Sequence, residues 1–282
     1  MNLLKYFLYL IFAISLLMAC NGRKDTPEET TTEATDSLRK DTILEEEEDS
    51  VAAAAEVAPP KKADELFDDF VFAFMKNKYF QRQRIDFPLP HKVDGKSQPI
   101  ARKEWKYNPM YSNSEVYTLI FDHKNAEKMA KDTSLRHVIV EDIDLEPQRI
   151  KCFVFLRNDN EWRLTALNEH PIDESPDHSF YNFYRSFATD EDFQKQHISN
   201  PLTFITYDED TFERLEGFIS PDQWEDFAPE LPMHSLTNIL YGKSDSKSNL
   251  RILKINSISG GMNSTLTFKR QNGEWMLVKL EN

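Results

Sequence analysis

Phe67-Asp68-Asp69-Phe70-Val71-Phe72-Ala73-Phe74 and, 113 residues later, Phe180-Tyr181-Asn182-Phe183-Tyr184-Arg185-Ser186-Phe187 decide how this 282-residue chain is read. Phe67, Phe70, Val71 and Phe74 fall at i, i+3, i+4 and i+7, one apolar stripe along a helix. Asp64, Glu65, Asp68 and Asp69 occupy its first turns, where they suit the helix dipole. The second stretch repeats the stripe with Phe180, Phe183, Tyr184 and Phe187. A short helical turn follows around Phe80 and again around Phe193. Pro88 and Pro201 then mark boundaries, each beside an extended segment.

Working outward at the same spacing, Phe80-Gln81 lands on Phe193-Gln194, and Gln83, Ile85, Pro88 and Leu89 land on Gln196, Ile198, Pro201 and Leu202. Phe155, Arg157, Glu161, Trp162, Leu164 and Leu167 land on Phe268, Arg270, Glu274, Trp275, Leu277 and Leu280. Over residues 66–89 and 152–169 that is 15 identities in 42 positions, far more than composition supplies. The middle matches at a shift of 119: Trp105, Thr118 and Ile120 land on Trp224, Thr237 and Ile239. A six-residue insertion before the second tryptophan, compensated by a shortening after it, would produce this. The expected plan is two homologous domains of roughly 105 residues, 63–171 and 179–282, joined by 172–178, each with its own core.

Each copy ends on three expected strands. They are His137–Leu145, Arg149–Arg157 and Glu161–Asn168 in the first, and Leu250–Ile258, Asn263–Arg270 and Glu274–Leu280 in the second. Asn158-Asp159-Asn160 and Gln271-Asn272-Gly273 are tight-turn chemistry, where Asn and Gly tolerate positive φ. A helix followed by a curved antiparallel meander makes each copy α+β.

The N-terminus carries an address. Met1–Lys5 is short and positively charged, Tyr6–Met18 is apolar save for Ser15, and Leu17-Met18-Ala19-Cys20 closes the run. This is the plan of a secretory signal over residues 1–19, too short for a comfortable membrane span. The last four residues resemble the bacterial lipobox, with Met18 larger than usual. That resemblance implies diacylglycerol on Cys20 and a bilayer as partner. Residues 20–62 read as the lipidated cysteine and a disordered acidic tether: no aromatic residue, one glycine, the run Glu45-Glu46-Glu47-Glu48-Asp49, and a net charge of −6 over 21–62.

With its opening helix, curved meander, lipobox and terminal Glu161-Trp162 and Glu274-Trp275, the chain resembles an uncharacterised family of Gram-negative envelope lipoproteins. These are built from the nuclear transport factor 2-like domain twice, a fold in which a bent sheet wraps a helix into a cone. The resemblance covers nearly all of residues 63–282. It implies a cell-envelope location, lipid-anchored and of outer-membrane type, since Asn21 and not Asp follows Cys20. It assigns no activity. Some relatives of the fold are isomerases, dehydratases or hydrolases using a cavity Asp or His.

No catalytic, metal or cofactor motif emerges. The net charge is −14, leaving −9 for residues 63–282 once the +1 of the signal and the −6 of the tether are removed, which argues against nucleic acid. No H-E-x-x-H occurs among the seven histidines, and His170 and His178 read as exposed. Asp208-Glu209-Asp210 lacks the glycine and terminal glutamate of a calcium loop. Ser259-Gly260-Gly261 reads as a hairpin turn. His137, Glu141, Asp142 and Asp144 could serve an acid–base site, with Asp142 and Asp144 sharing a face, or form a solvated edge. Cys152 reads as a small buried hydrophobe. Trp162 and Trp275 read as core, whereas Trp105, Tyr107, Tyr111 and Trp224 are candidate ligand-binding aromatics. The expected function is a non-enzymatic module that binds an unknown small ligand or an envelope protein, without a cofactor. A cone-pocket enzyme and a structural spacer are the alternatives.

Overall fold

The computed structural model describes residues 64–282 apart from 209, 243, 244 and 262; the signal, Cys20 and the acidic tether lie outside the described residues. Helix α1 (Phe67–Lys76) buries Phe67, Phe70, Val71, Phe74 and Met75. Asn77 ends it in extended conformation, and its side-chain oxygen accepts from the amides of Tyr79 and Phe80, both at 3.0 Å, capping α2 (Lys78–Gln83). The chain continues through β1 (His91–Val93), β2 (Lys96–Ser97), β3 (Val116–Phe121), β4 (His137–Asp144), β5 (Arg149–Asn158) and β6 (Glu161–Pro171). The second half follows the same order: α3 (His178–Thr189), α4 (Glu191–Gln196), β7 (Ile198–Tyr207), β8 (Arg214–Ile219), the short α5 (Trp224–Phe227), β9 (Ser235–Leu240), β10 (Leu250–Ser257), β11 (Asn263–Gln271) and β12 (Glu274–Glu281). Asp159, Asn160, Asn272 and Gly273 all take positive φ in the expected hairpin turns.

These strands form two six-stranded sheets, β2-β1-β6-β5-β4-β9 and β8-β7-β12-β11-β10-β3. The orders are the same with one exchange: β3 completes the sheet of the second half, and β9 completes the sheet of the first. Registers agree residue for residue. Ile139 faces Leu240 where Ile252 faces Phe121, and the ladder irregularity after Val154 recurs after Thr267.

The exchanged strands meet at Thr118 and Thr237. Each threonine's amide donates to the other's hydroxyl at 2.8 Å. Each hydroxyl donates to the other's carbonyl, at 2.6 Å from Thr118 and 2.8 Å from Thr237. Here the short, branched threonine supplies a donor and an acceptor on both sides of a local two-fold.

The cores follow the exchange. Phe67, Phe70 and Phe74 pack on Phe155 and Trp162, with Phe74 and Phe155 edge-on at 5.3 Å. Phe180 and Phe187 pack on Phe268 and Trp275, with Phe187 and Phe268 edge-on at 5.3 Å. Ile239 and Tyr241 belong to the first of these cores, while Ile120, Ile143 and Leu145 belong to the second. The expectation that each copy closes its own core therefore fails, because each sheet ends on a strand lent by the other half. The expectation of antiparallel sheets also needs correction. β1 runs parallel to β6, and β7 runs parallel to β12. The chain leaving α2 already lies beside the last strand at Ile85, bridged to Leu164, and keeps that direction. Among the described residues no helix is long and apolar enough to cross a membrane.

Candidate functional site

A cleft of about 370 Å³ opens where the exchange takes place. Its floor is the outer side of α1, carrying Asp68, Phe72 and Met75. Tyr117 and Leu119 come from β3, Ile239 and Tyr241 from β9 and the residue after it, Tyr111 from the loop before β3, and Ser257, Ile258 and Gly260 from the end of β10 and the turn after it. Tyr241 Oη donates to Asp68 Oδ1 at 2.6 Å across 173 residues of sequence. The contact exists only because β9 crosses into the first sheet. Tyr111 and Tyr117 stack at 5.4 Å between ring centres. Their hydroxyls find no hydrogen-bond partner among the described residues, whereas Lys76 beside them is engaged by the Ser112 carbonyl at 3.0 Å.

The electrostatics centre on the Asp68 carboxyl. Burial of the carboxyl lifts its pKa above the ordinary value; the Tyr241 hydrogen bond pulls the other way, and neighbouring Asp69 adds to the rise. Burial also raises the phenols of Tyr111, Tyr117 and Tyr241, each further discouraged from ionising by Asp68. All three tyrosines thus remain neutral hydroxyls around one acid. A volume of this size, mostly apolar, with a few convergent polar groups, has the character of a small-molecule site.

A second acid lies in the interior. Glu141 on β4 accepts from Asn238 Nδ2 at 3.1 Å and Tyr181 Oη at 3.3 Å, and burial raises its pKa. Asn238 in turn accepts the Ile120 amide at 2.9 Å, so this network joins both sheets to α3. Nearby, Arg251 donates to Asp177 at 2.5 Å, both side chains being buried. Glu141 does not line the cleft, and both of its hydrogen bonds fall on Oε2. Among the described residues no three His, Cys, Asp or Glu side chains are grouped to hold a metal.

Comparison with known proteins gives this geometry a lineage. Residues 47–282 match the model of a family described as a domain of unknown function, DUF4348. The chain belongs to the DUF4348 family. It is also similar to an NTF2-like protein from Bacteroides fragilis NCTC 9343, known from a crystal structure at 2.15 Å resolution. That protein is 38% identical, with a TM-score of 0.72 over 79% of this chain and 97% of the other. The fold is therefore NTF2-like, a mixed α+β architecture with curved sheets and few helices. No curated protein matches the chain.

Within this DUF4348 scaffold the four aromatics singled out from sequence separate. Tyr111 lines the cleft. Tyr107 does not; its hydroxyl donates to the Met75 carbonyl near the end of α1. Trp105 and Trp224 are fixed in matching roles, their indole nitrogens donating to Gln81 Oε1 at 3.1 Å and Gln194 Oε1 at 2.8 Å. Trp162 and Trp275 are buried among the phenylalanines, as core residues. Of the strand acids, Asp142 and Asp144 are exposed on one face of β4, which lies between β5 and β9 and is no sheet edge, and His137 is exposed too. Cys152 is a free, buried cysteine whose thiol is pushed up to about 12 by burial, so it is no nucleophile. His170 is half-buried, not exposed, with Nε2 at 3.6 Å from the Cys152 sulfur; His178 is exposed. Asp208 accepts from the Asp210 amide and from the Thr211 amide and hydroxyl, turn contacts that occupy the acid without a cation.

Asp68, Tyr117 and Tyr241 were not singled out as ligand residues. Asp68 reads as a first-turn helix acid, Tyr117 lies within β3, and Tyr241 follows β9. The one clue was the match at a shift of 119, which names those strands as counterparts without saying that they cross.

Proposed function

We propose that this DUF4348 protein is an envelope lipoprotein, held to the outer membrane by lipid on Cys20, whose cleft at the strand-exchange seam binds a small ligand. The single observation that carries the binding reading is the convergence of Tyr111, Tyr117 and Tyr241 on Asp68 in an open, largely apolar cleft. Aromatic faces attract cations, and a carboxylate completes the recognition of an amine. The ligand class is therefore a small molecule with an apolar or aromatic body and a positively charged or hydrogen-bond-donating head. The matched spacing of 113 and the shared strand order support an origin by internal duplication, with the two tandem NTF2-like units since interlocked. A non-catalytic role is favoured because Asp68 stays in contact with water at the mouth, and the buried Glu141 does not line that cleft.

Titration calorimetry with arylalkylamines, against alcohols of the same shape, tests the cleft. Amines should bind more tightly than alcohols, and Asp68→Asn and Tyr241→Ala should each weaken amine binding at least about tenfold. Equal binding of amines by Asp68→Asn and the unaltered chain would sink the reading. The anchor is tested separately. Fatty-acid labelling should mark the unaltered chain and not Cys20→Ser, and labelling of both would remove the lipoprotein claim.

A further inference from the structure

We propose that two copies of this chain pair edge to edge through β8, in one antiparallel register centred on Leu215. The sheets have four ends. Two of them, β3 and β9, meet each other at Thr118 and Thr237. The other two are treated very differently. The first sheet ends on β2, two exposed residues, Lys96 and Ser97, a length and chemistry that blunt an edge. The second ends on β8, six residues whose one strand partner is β7. Around this strand, side chains that would ordinarily be buried stand in solvent: Phe212 is 79% exposed, Phe218 69% and Leu215 49%.

The backbone decides which groups are free. The Asp208 amide donates to the Glu213 carbonyl, which makes these two a hydrogen-bonded pair at the turn. Bonded and non-bonded pairs alternate along an antiparallel ladder. Leu215, Gly217 and Ile219 therefore turn their N–H and C=O groups toward β7, where they face Thr206, Phe204 and Leu202. Arg214, Glu216 and Phe218 turn theirs outward. An added antiparallel strand has to pair outward-facing residues with one another, and that condition leaves few two-fold registers. Centring on Arg214 sets Arg214 against itself, and centring on Glu216 sets Glu216 against itself, both destabilising, while centring on Gly217 or Phe218 sets Glu216 against Phe218 or Ser220 and leaves it without an opposing Arg214. Centring on Leu215 sets Arg214 against Glu216 of the second copy, twice, and Leu215 against Leu215. Phe212 is then brought beside Phe218 at each end. The segment Phe212-Glu213-Arg214-Leu215-Glu216-Gly217-Phe218 is thus self-complementary in charge and in apolar character when read against its own reverse. Arg214 and Glu216 already attract each other at 2.8 Å within the strand, and the second copy extends that pair into a ring of four alternating charges. The occupant is a second copy of this chain because the sequence complements itself.

The test uses the full-length chain in sedimentation velocity over a concentration series. The unaltered chain should form dimers. Arg214→Glu and Glu216→Arg alone should each place like charges opposite one another and weaken dimerisation roughly tenfold or more. Both residues lie at a half-exposed surface pair, so melting temperatures should barely move. The deciding arms are combinations. Arg214→Glu mixed with Glu216→Arg should form heterodimers, and the double variant carrying both changes should dimerise again. An unaltered chain that stays monomeric, dimers indifferent to either single change, or single variants that fail to reunite on mixing would each overturn the proposal.

Discussion

Positions 68 and 181 stand 113 apart and occupy the same turn of α1 and α3, yet one is aspartate and the other tyrosine. In the first half, Asp68 faces an open cleft and receives the hydroxyl of Tyr241. In the second half the polarity is reversed: Tyr181 is the donor and is wholly buried, and its acceptor is Glu141 on the sheet of the other half. The scaffold repeats down to the ladder irregularity, so the difference is not one of fold. It is one of what covers the helix. Tyr181 of α3 is held by Glu141 of β4, which Asn238 of β9 also binds, whereas Asp68 of α1 lines an open cleft. One acid–phenol pair is a joint, and the other lines the cleft.

The largest expected effect concerns the two cores. Phe70 is fully buried against Phe155 and Trp162, while Phe183 is half-buried beside Phe193 and His197. Phe70→Ala should cost roughly 3–5 kcal/mol in denaturant unfolding, and Phe183→Ala only about 2 kcal/mol. Equal costs would mean that the halves are more alike than their burial implies. Next comes the seam. Thr118→Val leaves the Thr237 amide and carbonyl without their partners and should cost about 1–3 kcal/mol. Thr237→Val should cost the same, and the double variant, which removes all four bonds, about the sum. Clearly unequal single costs would break the two-fold picture.

Smaller and opposite in sign is Glu141→Gln. Folded Glu141 holds its proton to higher pH than the unfolded chain, because burial raises its pKa. Its contribution is therefore intact at low pH and is lost as pH rises from the ordinary value of about 4.3 through the folded one. A neutral amide that still accepts from Tyr181 and Asn238 escapes that loss. Chemical melts should show it about 1 kcal/mol more stable at neutral pH, with a flatter pH profile; a large destabilisation would make the charge itself a structural requirement. Smallest is Asp142→Asn on the exposed face of β4, expected within about 0.5 kcal/mol.

Much of this was legible in the sequence. The six terminal strands fall within a few residues of their expected bounds, because alternation and Asn/Gly turns are local signals. The helix stripe and its repeat were equally plain, since Phe67, Phe70 and Phe74 obey a helical period whatever surrounds them. The exchange was not legible. Which sheet a strand joins depends on where the chain crosses, and Val116–Phe121 carries the same apolar pattern for either destination. The cleft depends on the crossing, so Tyr241 and Asp68, 173 residues apart, could not be paired by spacing. The partners of Trp105 and Trp224 were illegible for a related reason. The two lie in stretches without periodicity, and the glutamines that hold them, Gln81 and Gln194, sit on other elements.

The crossing of β9 into the first sheet also sets a timetable for a chain made from one end. β4 is complete at Asp144, but its outer neighbour does not begin until Ser235, 91 residues later. At roughly 5–20 residues per second, that strand waits about 5–18 seconds for its partner. During the wait, β4 presents unpaired amides and carbonyls beside Val138, Val140 and Ile143, the combination that recruits a foreign strand. Products that stop between Asp144 and Leu240 never close that edge. Premature release in this interval should therefore give insoluble chains even when the whole first half has been synthesised.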